Sequence, residues 1–443
     1  MTALLSYKAG LSPAFERFVC AFAAIVPAIV IAYSLIVDPL INLQPVAEAG
    51  SGGALDSEEK STLLAQLLIP FLFVAMAFLA TLHPPRRWQS VLPVLAPLLA
   101  FLGFAIISSA WSAMPVRSLM LAVYQSLLCA LLFLSVCMSD DPKRIFRNIF
   151  WAFAAAMAVN LLFVILRPAG AIGHQGIYPY KNTLGAAAGC ALILALAHIP
   201  SRPLFLRFCA FITLFLAVVV LVASESKTSI ALALAAPAAA LLVLVLSRRL
   251  HAGAMTVLAS GLIFVLAATI VATQIWSFRA EDILVWTFGD PTFTGRTHIW
   301  AFISSHISEA PLAGHGYRGF WGVGELSPKL HSEIEFIRET GSSHNGFFDV
   351  ALDTGIIGLA LLAVFVLAVL RASAVAADGT GTAFLFLSIA FFVIGRNMME
   401  SVILWSTFFD NLLFVLSGLS AAYLGAELRA ARRSGVAQYM GAR

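Results

Sequence analysis

Residues 295–358 read GRTHIWAFISSHISEAPLAGHGYRGFWGVGELSPKLHSEIEFIRETGSSHNGFFDVALDTGIIG. The stretch begins as a polar segment carrying Arg296, His298, His306, His315, Arg318, Lys329, His331, Arg338 and His344, and it ends by entering a hydrophobic run. Its surroundings are apolar: 60% of the 443 residues are hydrophobic and 11% are charged, where a soluble domain carries roughly a quarter. That composition defines an all-α polytopic membrane protein, with its functional groups gathered in one long loop beside the bilayer.

A membrane-crossing helix needs about 20 mostly apolar residues. On that ruler apolar runs fall near 17–37, 62–82, 90–109, 118–138, 146–166, 182–199, 206–223, 228–247, 252–275, 346–370, 379–395 and 402–424, so about twelve transmembrane helices are expected. Met1 to Gly10 lacks a cleavable signal pattern, and the first run is expected to be a retained anchor. Basic residues mark alternate connections: Arg86/Arg87, Lys143/Arg144/Arg147, Arg202/Arg207, Arg248/Arg249 and Arg371, with Arg429, Arg432 and Arg433 in the tail. The first connection is acidic instead, with Glu48, Asp56, Glu58 and Glu59 against Lys60. By the positive-inside rule these basic connections and both termini are cytoplasmic, and the loop 276–345 lies outside. The chain then divides into a bundle (1–275), the loop with an amphipathic helix (276–345), a second set of helices (346–425) and a basic cytoplasmic tail (426–443). The same bias accounts for the net charge of +4, and no nucleic-acid partner is implied. The five cysteines sit in or near apolar runs and form neither a disulfide framework nor a zinc spacing. Two stretches are packing signals: Gly185-Ala-Ala-Ala-Gly189, and the alanine-rich Ala231–Ala240 with Pro237.

Cations stand at the outer starts of helices. Arg117, Lys181 and Lys227 open their runs, His344 precedes the run at 346, Arg396 comes shortly before the last run, and Arg167 and Arg279 lie at the same depth. A helix N-terminus disfavours a cation by roughly 0.3–1 kcal/mol, and hydrocarbon adds a desolvation cost. A single such residue can snorkel to lipid headgroups. Repetition favours a bound anion, because helix N-termini and guanidinium groups together suit a phosphate or diphosphate. Of the nearby acids, Glu225 is a counter-ion candidate beside Lys227, and Asp349 and Asp353, one turn apart, are expected to pair with arginines.

Within the loop, Ile299, Ile303 and Ile307 share a helical face, with Trp300 beside them, as in a segment lying along the interface or capping the bundle. Gly314 to Gly322 is too glycine-rich for regular helix. Its Tyr317, Phe320 and Trp321 fit an interfacial aromatic belt or sugar stacking. Residues 325–339 read as a solvated, partly helical lid. Ser343 is the expected N-cap of the helix at 346. His344 reads either as an interfacial residue or as an imidazole kept neutral by the helix dipole and able to accept a proton.

Several of these stretches resemble the O-antigen ligase and polymerase superfamily. They are Thr294-Gly295-Arg296-Thr297-His298-Ile299-Trp300, Pro311-Leu312-Ala313-Gly314-His315-Gly316, Ser343-His344-Asn345-Gly346 with Gly355-Ile356-Ile357-Gly358, Pro179 to Gly185, and Ser224 to Thr228. Phe320-Trp321 and Lys181-Asn182 look most like exopolysaccharide polymerases of the succinoglycan type, whereas Tyr180 stands where many relatives carry histidine. The resemblance implies a GT-C-like, metal-independent glycosyltransferase of the bacterial inner membrane that needs no cofactor. Its donor would be an undecaprenyl-diphosphate-linked oligosaccharide at the periplasmic face, its acceptor another glycan or lipid A-core, with other polysaccharide-assembly proteins as further partners. On that scheme Arg296 and His344 are catalytic, and Arg318, Lys181, Lys227, Arg117 and Arg396 bind the diphosphate. The rival class is a secondary transporter or flippase, which the absence of any half-to-half sequence repetition disfavours.

Overall fold

The computed structural model describes residues 12–43, 63–170, 173–275, 296–376, 380–404 and 408–433. The acidic first connection, Arg279, Thr294 and Gly295, and the side chains of Arg432 and Arg433 lie outside them. The described chain is helical throughout, apart from one isolated bridge between Gly170 and Gly173.

Each apolar run forms a helix. In order these are α1 (Pro13–Ala32), α2 (Leu63–Leu82), α3 (Leu92–Ser108), α4 (Pro115–Met138), α5 (Pro142–Leu166), α6 (Lys181–His198), α7 (Leu204–Ala223), α8 (Lys227–Arg249) and α9 (Ala254–Ile275). The loop contributes α10 (Arg296–Glu309) and α11 (Glu335–Glu339), and the chain re-enters the bundle as α12 (Gly346–Val375), α13 (Thr380–Asn397) and α14 (Phe409–Arg433). Among the described residues nine helices are long and apolar enough to cross a membrane. That is fewer than the twelve expected. Of the other three expected spans, α2 and α13 are apolar helices over the stretches 66–82 and 382–397, and α6 has Lys181, Asn182 and His198 at its ends, so its apolar centre is brief. The protein is a polytopic membrane protein.

Local chemistry sets the helix starts. Ser12 accepts from Phe15 N (3.2 Å) ahead of Pro13, and Asp141 accepts from Lys143 N (2.9 Å) ahead of Pro142. Each cap satisfies a backbone donor that the first turn leaves open, and proline at the next position needs no donor. The small residues of α6 let it approach α8 and α13 closely: a side chain at Gly185 would strike Ser226 and Ser229, and one at Gly189 would strike Phe392 of α13. α14 is the most enclosed span and α12 packs against it and against α3, whereas no residue in the apolar window of α9 is buried.

α12 is broken. Gly355 adopts φ 63° and ψ −164°, and beside this break runs the loop segment 311–315. Ile356 N donates to Pro311 O (2.9 Å), Ile357 N to Leu312 O (3.2 Å), and His315 N to Leu352 O (2.9 Å). The loop backbone therefore satisfies donors that the break sets free, the condition for irregular chain inside a membrane protein. Trp111 Nε1 closes the other side by donating to the carbonyls of Ala313 and Gly314, both at 3.2 Å.

The loop has its own small core. Ile299, Ile303, Phe320, Trp321, Ile337 and Leu352 bury against one another, with Trp300, Phe302 and Phe348 around them. α10 thus packs onto the rest of the loop and α12 through the face carrying Ile299 and Ile303. Tyr317, Phe320 and Trp321 are correspondingly buried, neither an exposed belt nor a sugar platform. Tyr317 donates to Leu404 O (2.7 Å) and Trp321 Nε1 to Asp349 Oδ1 (2.7 Å), so the polar tip of each finds a partner inside.

Candidate functional site

The turn between α13 and α14 carries a group the sequence reading passed over, Glu400. Asn397 Oδ1 accepts from Val402 N (3.1 Å) and Ile403 N (2.8 Å), and Asn411 Oδ1 accepts from Leu404 N (3.0 Å). These two asparagines fix the turn, and Glu400 N bonds back to Arg396 O (2.7 Å), one turn behind. The carboxylate then meets three elements. Arg296 Nη2 at the start of α10 lies 3.2 Å from Oε1, Asn182 Nδ2 of α6 donates to Oε1 at 3.1 Å, and His344 Nδ1 stands 2.9 Å from Oε2. Arg296 and Arg396 are nearly enclosed, with side chains 12% and 11% exposed.

Burial alone would raise the Glu400 carboxyl. The charges of His344, Arg296 and Arg396, together with the His344 hydrogen bond, outweigh it and bring the carboxyl down to about 2. At Arg296 the balance is reversed: burial, with the charge of Arg396, lowers the guanidinium more than Glu400 lifts it. The group stays charged nonetheless, because guanidinium does not deprotonate in proteins. Because Glu400 is ionised and can only accept, His344 Nδ1 carries the proton of their bond. Nε2 has no hydrogen-bond partner among the described residues.

Arg396 stands shortly before the last helix, as expected. Unlike the cations that open helices, it occupies the last turn of α13, the end a helix dipole favours. Its Nε meets Asp410 Oδ2 at 3.0 Å and its Nη1 donates to Asn182 O at 3.1 Å, tying α6, α13 and α14 together beneath Glu400. Lys181 and Lys227 do open α6 and α8. Lys181 Nζ approaches Glu225 O at 3.4 Å and lies within charge range of both Glu225 and Lys227. Ser226 Oγ donates to Asn182 Oδ1 (3.0 Å), which links this corner to the carboxylate.

Arg117 and Arg318 form a neighbouring pair. Arg117 Nη1 reaches Arg318 O at 3.4 Å, and the Arg117 guanidinium lies against Gly322, where any side chain would collide with it. Arg318 has φ 52°, His344 φ 52°, Glu225 φ 51° and Leu404 φ 53°. These are four of the six described non-glycine residues in the left-handed region. Such conformations cost of order 1–3 kcal/mol each and persist only where the surroundings hold them.

Two expectations about caps and acids are corrected. The N-cap of α12 is Asn345, whose Oδ1 accepts from Phe347 N (3.1 Å) and Phe348 N (3.4 Å). Ser343 Oγ instead donates to Asn345 O at 2.7 Å. Asp349 pairs with no arginine among the described residues: it accepts from Trp321 Nε1, from Ser343 N and from the Ser401 hydroxyl. Asp349 is thus the post to which the glycine turn, the segment before His344 and the turn bearing Glu400 are all fastened. Asp353 is buried one turn further in.

Fold and site together define a multi-pass membrane protein with a paired-charge centre where one polar loop closes over a helical bundle. Residues 212–363 match the family described as O-antigen ligase, so the chain carries a domain of that family. A stretch of 84 residues is 36% identical to the exopolysaccharide production protein ExoQ of Rhizobium meliloti, covering 18% of this chain and 19% of that protein. The alignment thus spans about a fifth of the relative's length. The family match takes in Lys227, Arg296, Arg318, His344 and Asp349, whereas Arg117, Lys181, Arg396 and Glu400 come from outside it. Glu400 left one trace in the sequence, the polar insert Arg396-Asn-Met-Met-Glu400-Ser401 between two apolar runs.

Proposed function

We infer that the protein is an integral-membrane glycosyltransferase that moves glycan from an undecaprenyl-diphosphate-linked donor, as a repeat-unit polymerase or as an O-antigen ligase. The observation that carries this is the meeting of Arg296 and His344 on Glu400, with Arg396 joined to the same centre through Asn182. Cations so placed are suited to a diphosphate, whose loss as a leaving group is limited by the charge that develops on it. In this reading Arg296, Arg318, Lys181, Lys227, Arg117 and Arg396 grip the diphosphate, and no metal is required for that role. Glu400 supplies the negative charge beside Arg296 until the diphosphate arrives.

His344 is the group for the acceptor. Its Nδ1–H is held by Glu400, so in the neutral ring Nε2 is the basic nitrogen, and once Nε2 takes the acceptor's proton the imidazolium is paired with the carboxylate, the division of labour of a histidine oriented by a carboxylate. Removing a proton from the attacking hydroxyl is worth about 10²–10⁴ in rate. The bond between anomeric carbon and phosphate breaks as the acceptor oxygen bonds to that carbon, and the diphosphate leaves with the electron pair. The GT-C-type architecture, a periplasmic active face, cytoplasmic termini and the full set of twelve crossings belong to the same proposal.

The test is transfer by the purified protein supplied with the lipid-linked repeat unit. A ladder of products identifies a polymerase; transfer that needs added lipid A-core identifies a ligase. Donor left intact under both conditions refutes the assignment.

A further inference from the structure

A second polar cluster lies just beyond α1 and on α4, away from the ion pairs. The helical course of the chain does not end with α1 at Ala32. The chain continues through one wide turn, Tyr33–Val37, into the short helix Asp38–Ile41. In the wide turn each amide bonds five residues back, an arrangement that costs regularity and recurs at functional positions. Here it brings Tyr33 onto Asp38: the phenol donates to Oδ1 at 3.2 Å, and Asn42 Nδ2 donates to the same oxygen at 3.1 Å. From the neighbouring α4, Tyr124 lies within electrostatic reach of both Asp38 and Tyr33.

Asp38 Oδ2 accepts no hydrogen bond among the described residues and is not enclosed, and no described cation pairs with this carboxylate. A half-buried carboxylate with one oxygen held by neutral donors and the other open is an acceptor for hydroxyl groups. The phenols beside it add both apolar ring faces and polar tips. Its negative charge makes the cluster a poor place for a diphosphate.

The cluster is tied to the ionic centre. Tyr178, itself buried, donates to Leu35 O of the wide turn at 2.9 Å, and Asn160 Oδ1 holds the adjacent Ile177 N at 3.2 Å. Four residues further on, Asn182 touches Glu400. Four residues span at most about 14 Å. The segment Tyr178–Asn182 therefore joins the two clusters, one anionic at Asp38 and one rich in cations around Glu400.

We propose that Tyr33, Asp38, Asn42 and Tyr124 form a carbohydrate subsite that binds hydroxyl groups of the acceptor glycan, while the cations around Glu400 bind the donor's diphosphate. This rests on the glycosyltransferase reading, and the two are tested apart with full-length protein in nanodiscs. One probe is neutral oligosaccharide released by mild acid from the producing cell's own polysaccharide; the other is undecaprenyl diphosphate. Asp38→Ala and Tyr124→Phe are expected to weaken oligosaccharide binding by about tenfold and to leave undecaprenyl diphosphate binding unchanged; Arg296→Ala is expected to do the reverse. Tyr33→Phe, which removes the hydroxyl bonded to Asp38, is expected to weaken oligosaccharide binding in the same direction, and an unchanged thermal midpoint in each variant checks that the loss is not general unfolding. Oligosaccharide that fails to bind the wild type, binds Asp38→Ala equally well, or loses affinity only in step with the diphosphate overturns the subsite. Oligosaccharide binding by a protein with no affinity for the diphosphate keeps the subsite and sinks the donor assignment instead.

Discussion

Replacing Glu400 by Gln keeps the shape of the side chain and removes its charge. In the folded protein the carboxyl is brought from 4.5 down to about 2, so its ionised form is favoured by about 3 kcal/mol. That sum already includes the burial cost, and the side chain is only 22% exposed, so screening takes little from it. With the charge gone, Arg296 at 12% exposure and His344 at 31% lose their counter-charge, and breaking a buried pair from one side costs about 3–5 kcal/mol. The first assay is denaturant unfolding followed by tryptophan fluorescence from pH 7 to pH 3. A carboxyl lowered on folding contributes fully above its unfolded value of 4.5 and loses that contribution as pH falls toward 2. Wild-type stability should therefore hold down to about 4.5 and then decline, while Glu400→Gln starts lower and lacks this limb. The second assay is turnover. Gln cannot hold His344 as an ion does, so turnover should fall by about 10²-fold or more, and Glu400→Asp should restore part of it. Equal stability of wild type and Glu400→Gln across this range would refute the claim that the carboxylate organises the centre.

Four further substitutions probe the surrounding parts. Arg296→Ala should abolish glycan transfer with the protein still in the membrane, and product of normal length and yield would remove Arg296 from the scheme. His344→Ala should lower turnover by about 10²–10⁴ with donor affinity little changed, read from single-turnover kinetics beside donor titration. Trp321→Phe removes the 2.7 Å bond to the buried Asp349 and should cost about 1–3 kcal/mol in denaturant unfolding, with thermal unfolding showing the same order. Gly355→Ala forces a side chain into the Leu312 carbonyl at positive φ, so expression and thermal midpoint should both fall; a variant as stable as the wild type would mean that the break in α12 tolerates rearrangement.

The class of fold was legible in the chain because a bilayer imposes a one-dimensional rule. A helix must be about 20 apolar residues long and must satisfy its own backbone, so composition and spacing alone place the spans. The loop helix at Arg296–Glu309 and the close packing at Gly185 and Gly189 were readable for the same local reason. Arg296 and His344 stood out because cations beside hydrocarbon are costly and therefore conspicuous. Glu400 did not stand out, since one acid in a short turn carries no periodic signal. Its meaning comes from Asn182, Arg296 and His344, which lie 218, 104 and 56 residues away along the chain. The aromatics of the glycine turn were misjudged likewise, because whether Trp321 faces lipid or Asp349 depends on where a loop folds back. Sequence determined which segments leave water; only the tertiary structure decided which charges meet, because a pairing between distant residues is a property of the packed chain and not of any window along it.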